Sequence, residues 1–67
     1  LSHDVEEHGL QQGDIGAVVH VYQDAAAYEV EFVTGEGETV AVLTLTAEDI
    51  RPMSEREILH VRELLSA

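Results

Sequence analysis

Between Gly13 and Pro52 the chain is a series of short β-branched and alternating runs broken by glycine-rich turns, a pattern that a small antiparallel β-fold satisfies and a helical bundle does not. Gly13-Asp14-Ile15-Gly16 is turn chemistry: glycine accepts positive φ, and an aspartate carboxylate can bond the backbone two residues on. Residues 17–22, Ala-Val-Val-His-Val-Tyr, read as a first strand. Residues 27–33 alternate, with Tyr28, Val30 and Phe32 on one face and Glu29 and Glu31 on the other, as a half-buried antiparallel strand with an acidic outer face should. Thr34-Gly35-Glu36-Gly37-Glu38 is a glycine-punctuated hairpin loop. The third strand, 39–45, places Val40 and Val42 on one face and Ala41, Leu43 and Leu45 on the other. Both faces are apolar, so something is expected to cover the second one.

The flanks are less regular. Residues 1–12 form an acidic segment without periodicity, expected to be irregular or briefly extended. Thr46-Ala47-Glu48-Asp49-Ile50 reads as a single helical or 3₁₀ turn with Thr46 as its cap, and Arg51-Pro52 can add only a short last strand, because proline lacks the donor a ladder needs. Ser54-Glu55-Arg56-Glu57 is a capping box. It predicts a helix over 55–66 with Ile58, Val61, Leu64 and Leu65 as its apolar stripe and Leu59 to one side. No Glu–Arg pair stands four residues apart, and a helix of about a dozen residues is marginal without packing. The expected architecture is mainly β: an acidic segment (1–12), a small SH3-like antiparallel barrel of about five strands (13–52) and a capped C-terminal α-helix (53–67).

Three stretches together carry a more specific likeness: Gly13-Asp14-Ile15-Gly16-Ala17-Val18-Val19-His20-Val21-Tyr22, then Ala27-Tyr28-Glu29-Val30-Glu31-Phe32, then Thr39-Val40-Ala41-Val42-Leu43-Thr44-Leu45. Over roughly residues 8–52 the chain resembles a family of small bacterial proteins, common in cyanobacteria, catalogued as a domain of unknown function. The resemblance implies an SH3-like barrel and brings no activity, cofactor or functional residue with it. A weaker likeness is to the KOW motif of ribosomal and transcription-elongation proteins, and another is to the barrel-containing subunit of nitrile hydratases. Both are analogies of fold, which do not license function.

Charge narrows the classes of partner. The chain has 67 residues with fourteen Asp and Glu against three Arg and no Lys, for a net charge of −11. Residues 1–50 hold eleven acids and no base, while 51–67 hold Arg51, Arg56 and Arg62 against Glu55, Glu57 and Glu63. Such a surface repels phosphate backbones and anionic membranes alike. It serves either solubility or attraction to a basic partner. There is no cysteine for a disulfide or a thiolate metal site, and no apolar run approaches the roughly 18 residues of a membrane span. A chain beginning at Leu1 rather than Met is expected to be a fragment or trimmed product.

Catalytic chemistry finds little support. His3-Asp4-Val5-Glu6-Glu7-His8 gathers metal-capable side chains, but in a segment with no scaffold to fix them. His20 falls inside a strand in phase with Val18 and Tyr22, and His60 stands between Glu57 and Glu63 on the expected helix. Ser54 is engaged as a cap, Ser2 and Ser66 are terminal, and none stands beside an oriented base. No cofactor is expected and the protein is not expected to be an enzyme.

The expected role is that of a cytoplasmic interaction module for another, basic protein or for a second copy, binding neither nucleic acid nor membrane. Glu29, Glu31, Glu36 and Glu38 would steer the partner, while Ala41, Leu43, Leu45, Leu59 and Leu64 would supply the apolar contact. One version is an antitoxin or immunity-like inhibitor of a basic partner. The alternatives are a KOW-like barrel associated with nucleic acid and an accessory domain of a larger enzyme.

Overall fold

The structure, a computed structural model, describes residues 1–64. Its framework is one antiparallel sheet of three strands in the order β1-β2-β3: β1 (Ala17–Val21), β2 (Tyr28–Val33) and β3 (Thr39–Leu45). All three fall where the sequence places them, trimmed only at the ends. A 3₁₀ turn at Gln23–Ala25 joins β1 to β2 and is closed by a hydrogen bond from the Tyr22 N–H to the Ala27 carbonyl. The β2–β3 hairpin closes through Thr34 N–H to Glu38 O (2.8 Å) and Gly37 N–H to Thr34 O (2.9 Å). At φ 86° Gly37 occupies backbone space that a Cβ would strain.

One face of the sheet carries the core. Leu10, Val30, Phe32, Ala41 and Leu45 are buried, with Leu1, Val5, Tyr28, Val40, Leu43 and Ile50 packed against them. Gly16 lets the chain cross this face, since a Cβ there would lie 2.6 Å from Val30 Cγ1 and 2.8 Å from Phe32 Cε1.

Two bulges alter the alternation expected of the strands. In the β1–β2 pairing Val18 stands opposite Val30 but His20 stands opposite Glu29, with Val19 the extra residue. His20 therefore shares the outer face with Glu29 rather than the inner face with Val18. In the β2–β3 pairing Phe32 stands opposite Ala41 and Val33 opposite Thr39, so Val40 is the extra residue. It joins the core alongside Ala41. The second face of β3 consequently reduces to Thr39, Val42 and Thr44, all exposed, and no element covers it among the described residues.

Where about five strands closing a barrel were expected, three form an open sheet. The N-terminal segment pairs mainly with itself: a 3₁₀ turn at Glu6–His8 folds it so that Val5 and Leu10 exchange both backbone hydrogen bonds. It meets the 46–50 turn through Ser2 N–H to Asp49 O (2.8 Å) and the His3 ring to Asp49 Oδ1 (2.8 Å). At the other end Pro52 has no N–H to offer, and residues 51–52 form no strand. The turn itself is present. The Asp49 carboxylate accepts both the N–H and the hydroxyl of Thr46, and the Asp49 N–H returns a bond to the Thr46 carbonyl.

The C-terminal helix does not form over 55–64; its last expected residues, 65 and 66, lie outside those described. The capping box closes one turn only, with Glu57 Oε1 accepting the Ser54 N–H (2.7 Å) and the Glu57 N–H donating to Ser54 O (3.2 Å). Beyond it the stripe is left unpacked, and Ile58 and Val61 are both 93% exposed. Without burial of that stripe, propensity alone cannot sustain so short a helix. The segment is instead tied back at Arg62. No helix among the described residues is long and apolar enough to cross a membrane.

Candidate functional site

The residues expected to form one contact surface divide between two faces of the sheet. Ala41 and Leu45 are buried in the protein's own core, whereas Leu43, packed against it, stays half-buried. Alternation places them on one face but cannot say which face turns inward. Leu59 and Leu64 are exposed on the C-terminal segment. With Val33 and Val40 they border a shallow groove of about 370 Å³.

The acidic residues stay at the surface. Glu29 and Glu31 lie half-buried on the outer face of β2, held by threonines of β3: the Thr44 hydroxyl donates to Glu29 Oε1 and the Thr39 hydroxyl to Glu31 Oε2 (2.7 Å). Glu36 and Glu38 are exposed in the hairpin, where the Glu38 N–H donates to Thr34 Oγ1 (3.2 Å). Across β1 the neighbours of Glu31 and Glu29 are Ala17 and His20. The His20 ring meets that of Tyr22 edge to face, with centroids 4.8 Å apart.

Two of the arginines of residues 51–67, Arg51 and Arg62, are engaged elsewhere. Arg62 donates from Nε to Asp14 Oδ1 (2.7 Å) and from Nη2 to Asp14 Oδ2 (2.5 Å) and Gly9 O (2.8 Å). The guanidinium, chiefly by hydrogen bonding, holds the Asp14 carboxyl below its ordinary value. Arg51 grips Glu57 through two parallel bonds of 2.8 and 2.7 Å. With the Ser54 N–H, that grip lowers Glu57 to about 2. Among the described residues neither of these arginines, nor any other, pairs with Glu29 or Glu31.

Beneath the sheet an open cavity of about 450 Å³ runs between Ile15, Gly16, Val18, Val30 and Phe32 on one side and Ile50, Met53 and Ile58 on the other. Apart from Asp14, Arg51 and Glu57, already paired, Tyr28 and His60 are its titratable side chains among the described lining residues. An open, largely apolar trough of this kind accepts hydrophobic side chains. Of the N-terminal metal-capable side chains, His3 is bonded to Asp49 (2.8 Å), and no three such groups converge among the described residues.

Sequence reasoning placed β1 but not its position as an exposed edge strand. Every side chain of β1 is exposed, and Val18, Val19 and Val21 are 50%, 56% and 51% open to solvent. A strand rich in valine reads as buried, and no local signal marks it as the sheet's edge. It also missed both arginine–carboxylate links: nothing local joins Asp14 to Arg62, 48 positions apart, and the six-residue separation of Arg51 and Glu57 matches no regular helix or strand pairing.

A family model described as "Domain of unknown function (DUF4926)" matches residues 1–52. The match takes in the N-terminal segment as well as the three strands, and stops before the capping box. No curated protein and no solved structure matches the chain significantly.

Proposed function

The chain belongs to the DUF4926 family of domains of unknown function, and from that premise we propose that it is a non-catalytic, cytoplasmic interaction module whose partner is a basic protein. A single observation carries the reading. Apolar side chains stand open on β1 and on the C-terminal segment of a chain that is otherwise strongly acidic, with Ile58 and Val61 each 93% exposed. Scattered apolar exposure is ordinary, but an exposed stripe preceded by a formed capping turn is poised to become a helix against a second surface. Glu29 and Glu31, which meet no arginine among the described residues, favour a cationic surface over an anionic one.

One concrete form is an antitoxin or immunity-like inhibitor whose carboxylates mask the basic site of a nucleic-acid-targeting toxin. The barrel ancestry suggested by the strand pattern belongs to this proposal too. It is supported by the bulged, short strands and by the contact of Ser2 with Asp49, which brings the N-terminal segment to the turn after β3.

Affinity capture from native lysate with mass spectrometry tests the reading. A stoichiometric partner of high isoelectric point is expected, together with loss of capture when Ile58 and Val61 are replaced by Ser. A monomeric chain that recovers no partner, or one that shifts RNA or DNA in a low-salt mobility assay, would overturn it.

A further inference from the structure

We propose that β1 accepts a fourth strand from the partner: an extended segment in which basic and apolar residues alternate, added antiparallel or parallel along the open edge of Ala17–Val21. The inference rests on the interaction reading above and specifies where and what the module binds.

The edge is open. In the order β1-β2-β3 the strand β1 pairs on one side only, and among the described residues no backbone group reaches its other side. Edge strands of soluble proteins are usually guarded by charge, proline or a covering loop. Residues 17–21 contain neither Lys, Arg, Asp, Glu nor Pro, and the bulge at Val19 is the one guarding feature present. At the opposite edge β3 already buries Ala41 and Leu45, so an added strand there would cover less apolar surface.

Charge selects the occupant. On the outer face Glu31 lies opposite Ala17 and Glu29 opposite His20, and neither carboxylate meets a cation of this chain among the described residues. Strands lie about 4.8 Å apart, so a fourth strand would run roughly 10 Å from β2. An extended Lys or Arg side chain spans that gap across the small Ala17 methyl group to Glu31. On the inner face the same strand meets Val18, opposite Val30, and Val21, opposite Tyr28. Apolar side chains there would extend the wall of the trough that Val18 already lines. The required segment is therefore basic on one face and apolar on the other. A second copy supplies it poorly: the chain has no Lys, Arg51 and Arg62 are held by Glu57 and Asp14, and the remaining arginine, Arg56, stands between Glu55 and Glu57 rather than in an alternation of basic and apolar residues.

The test titrates the whole isotope-labelled chain with a peptide of about eight residues, a common strand length, alternating Lys or Arg with Val. A peptide of the same composition with its basic residues in one block is the control. The alternating peptide is expected to shift the β1 amides and slow their exchange, with affinity falling as salt rises. Glu29→Gln with Glu31→Gln should weaken binding about three- to tenfold, the worth of two cross-strand charge pairs. Circular dichroism of the double variant checks that the sheet persists. Equal binding by the blocked peptide, unaltered affinity in the folded double variant, or an absence of β1 protection would each overturn the proposal. If a captured native partner protects the 53–64 segment and leaves β1 exchanging freely, the strand proposal falls while the interaction reading stands.

Discussion

Arg62 and Asp14, 48 residues apart, share two hydrogen bonds of 2.7 and 2.5 Å, and the same guanidinium reaches the Gly9 carbonyl at 2.8 Å. Asp14 is at once the fixed point of the first turn, where its Oδ2 also accepts the Gln11 N–H at 2.8 Å. One carboxylate thus orders the approach to β1 and tethers the C-terminal segment across the face where its apolar residues stand exposed.

Replacing Arg62 by Ala should release residues 53–64 while leaving the sheet intact. The expected result is several-fold faster amide exchange at Asp14 and Gln11 with little change in the β2 and β3 amides, read by hydrogen-exchange NMR. Unchanged exchange at the turn would show that the link orders nothing.

Gly16→Ala brings a methyl group to within 2.6 Å of Val30 and 2.8 Å of Phe32, both in the buried centre of the sheet. Overpacking of this kind costs about 1–3 kcal/mol. In a domain this small it should lower the urea midpoint markedly, and Gly16→Val should lower it further.

Phe32→Ala empties the largest side chain of the five-residue core. The expected loss is about 3–5 kcal/mol, comparable with the whole stability of a small domain without disulfides. The variant should lack the cooperative thermal transition seen by circular dichroism for the parent chain, whereas Val42→Ala on the open face should keep it.

Acid should free the C-terminal segment from both ends. Glu57 is lowered from 4.5 to about 2, and Asp14 is lowered as well, each chiefly by its arginine. For a depressed carboxyl the stabilisation is complete above the unfolded value and is lost as pH falls through the folded one. Both tethers therefore hold at neutral pH; the Glu57 tether weakens from about pH 4.5 downward to about 2, and the Asp14 tether weakens below 3.8. The Nε–H resonance of Arg62 should report the loss, and Asp14→Asn should abolish the transition at that resonance.

His3 offers a signal of opposite sign. Its Nδ1 faces the Asp4 carbonyl at 2.9 Å and its Nε2 faces Asp49 Oδ1 at 2.8 Å. Both neighbours only accept, so the imidazolium alone satisfies them together. Its pKa is accordingly raised above 6.5, chiefly by Asp49. The stabilisation is present below 6.5 and disappears as pH rises through the folded value. An NMR titration should place His3 above 6.5, and Asp49→Asn should move it down.

Much of this molecule is legible without coordinates, and the limits of that legibility follow from the range of the interactions. The alternation of Tyr28, Val30 and Phe32 with Glu29 and Glu31 is a local property of an extended chain, so β2 and the hairpin could be read directly, as could the Thr46–Asp49 turn. Three features had no such local cause. The bulges at Val19 and Val40 arise from the match between neighbouring strands, and they moved His20 outward and Val40 inward. The choice of which face of β3 is buried put Ala41 and Leu45 in the core. The capping box and stripe of residues 54–64 describe a helix in every local respect, yet only one turn forms there, because a short helix needs its apolar stripe buried against another element and Ile58 and Val61 stay 93% exposed.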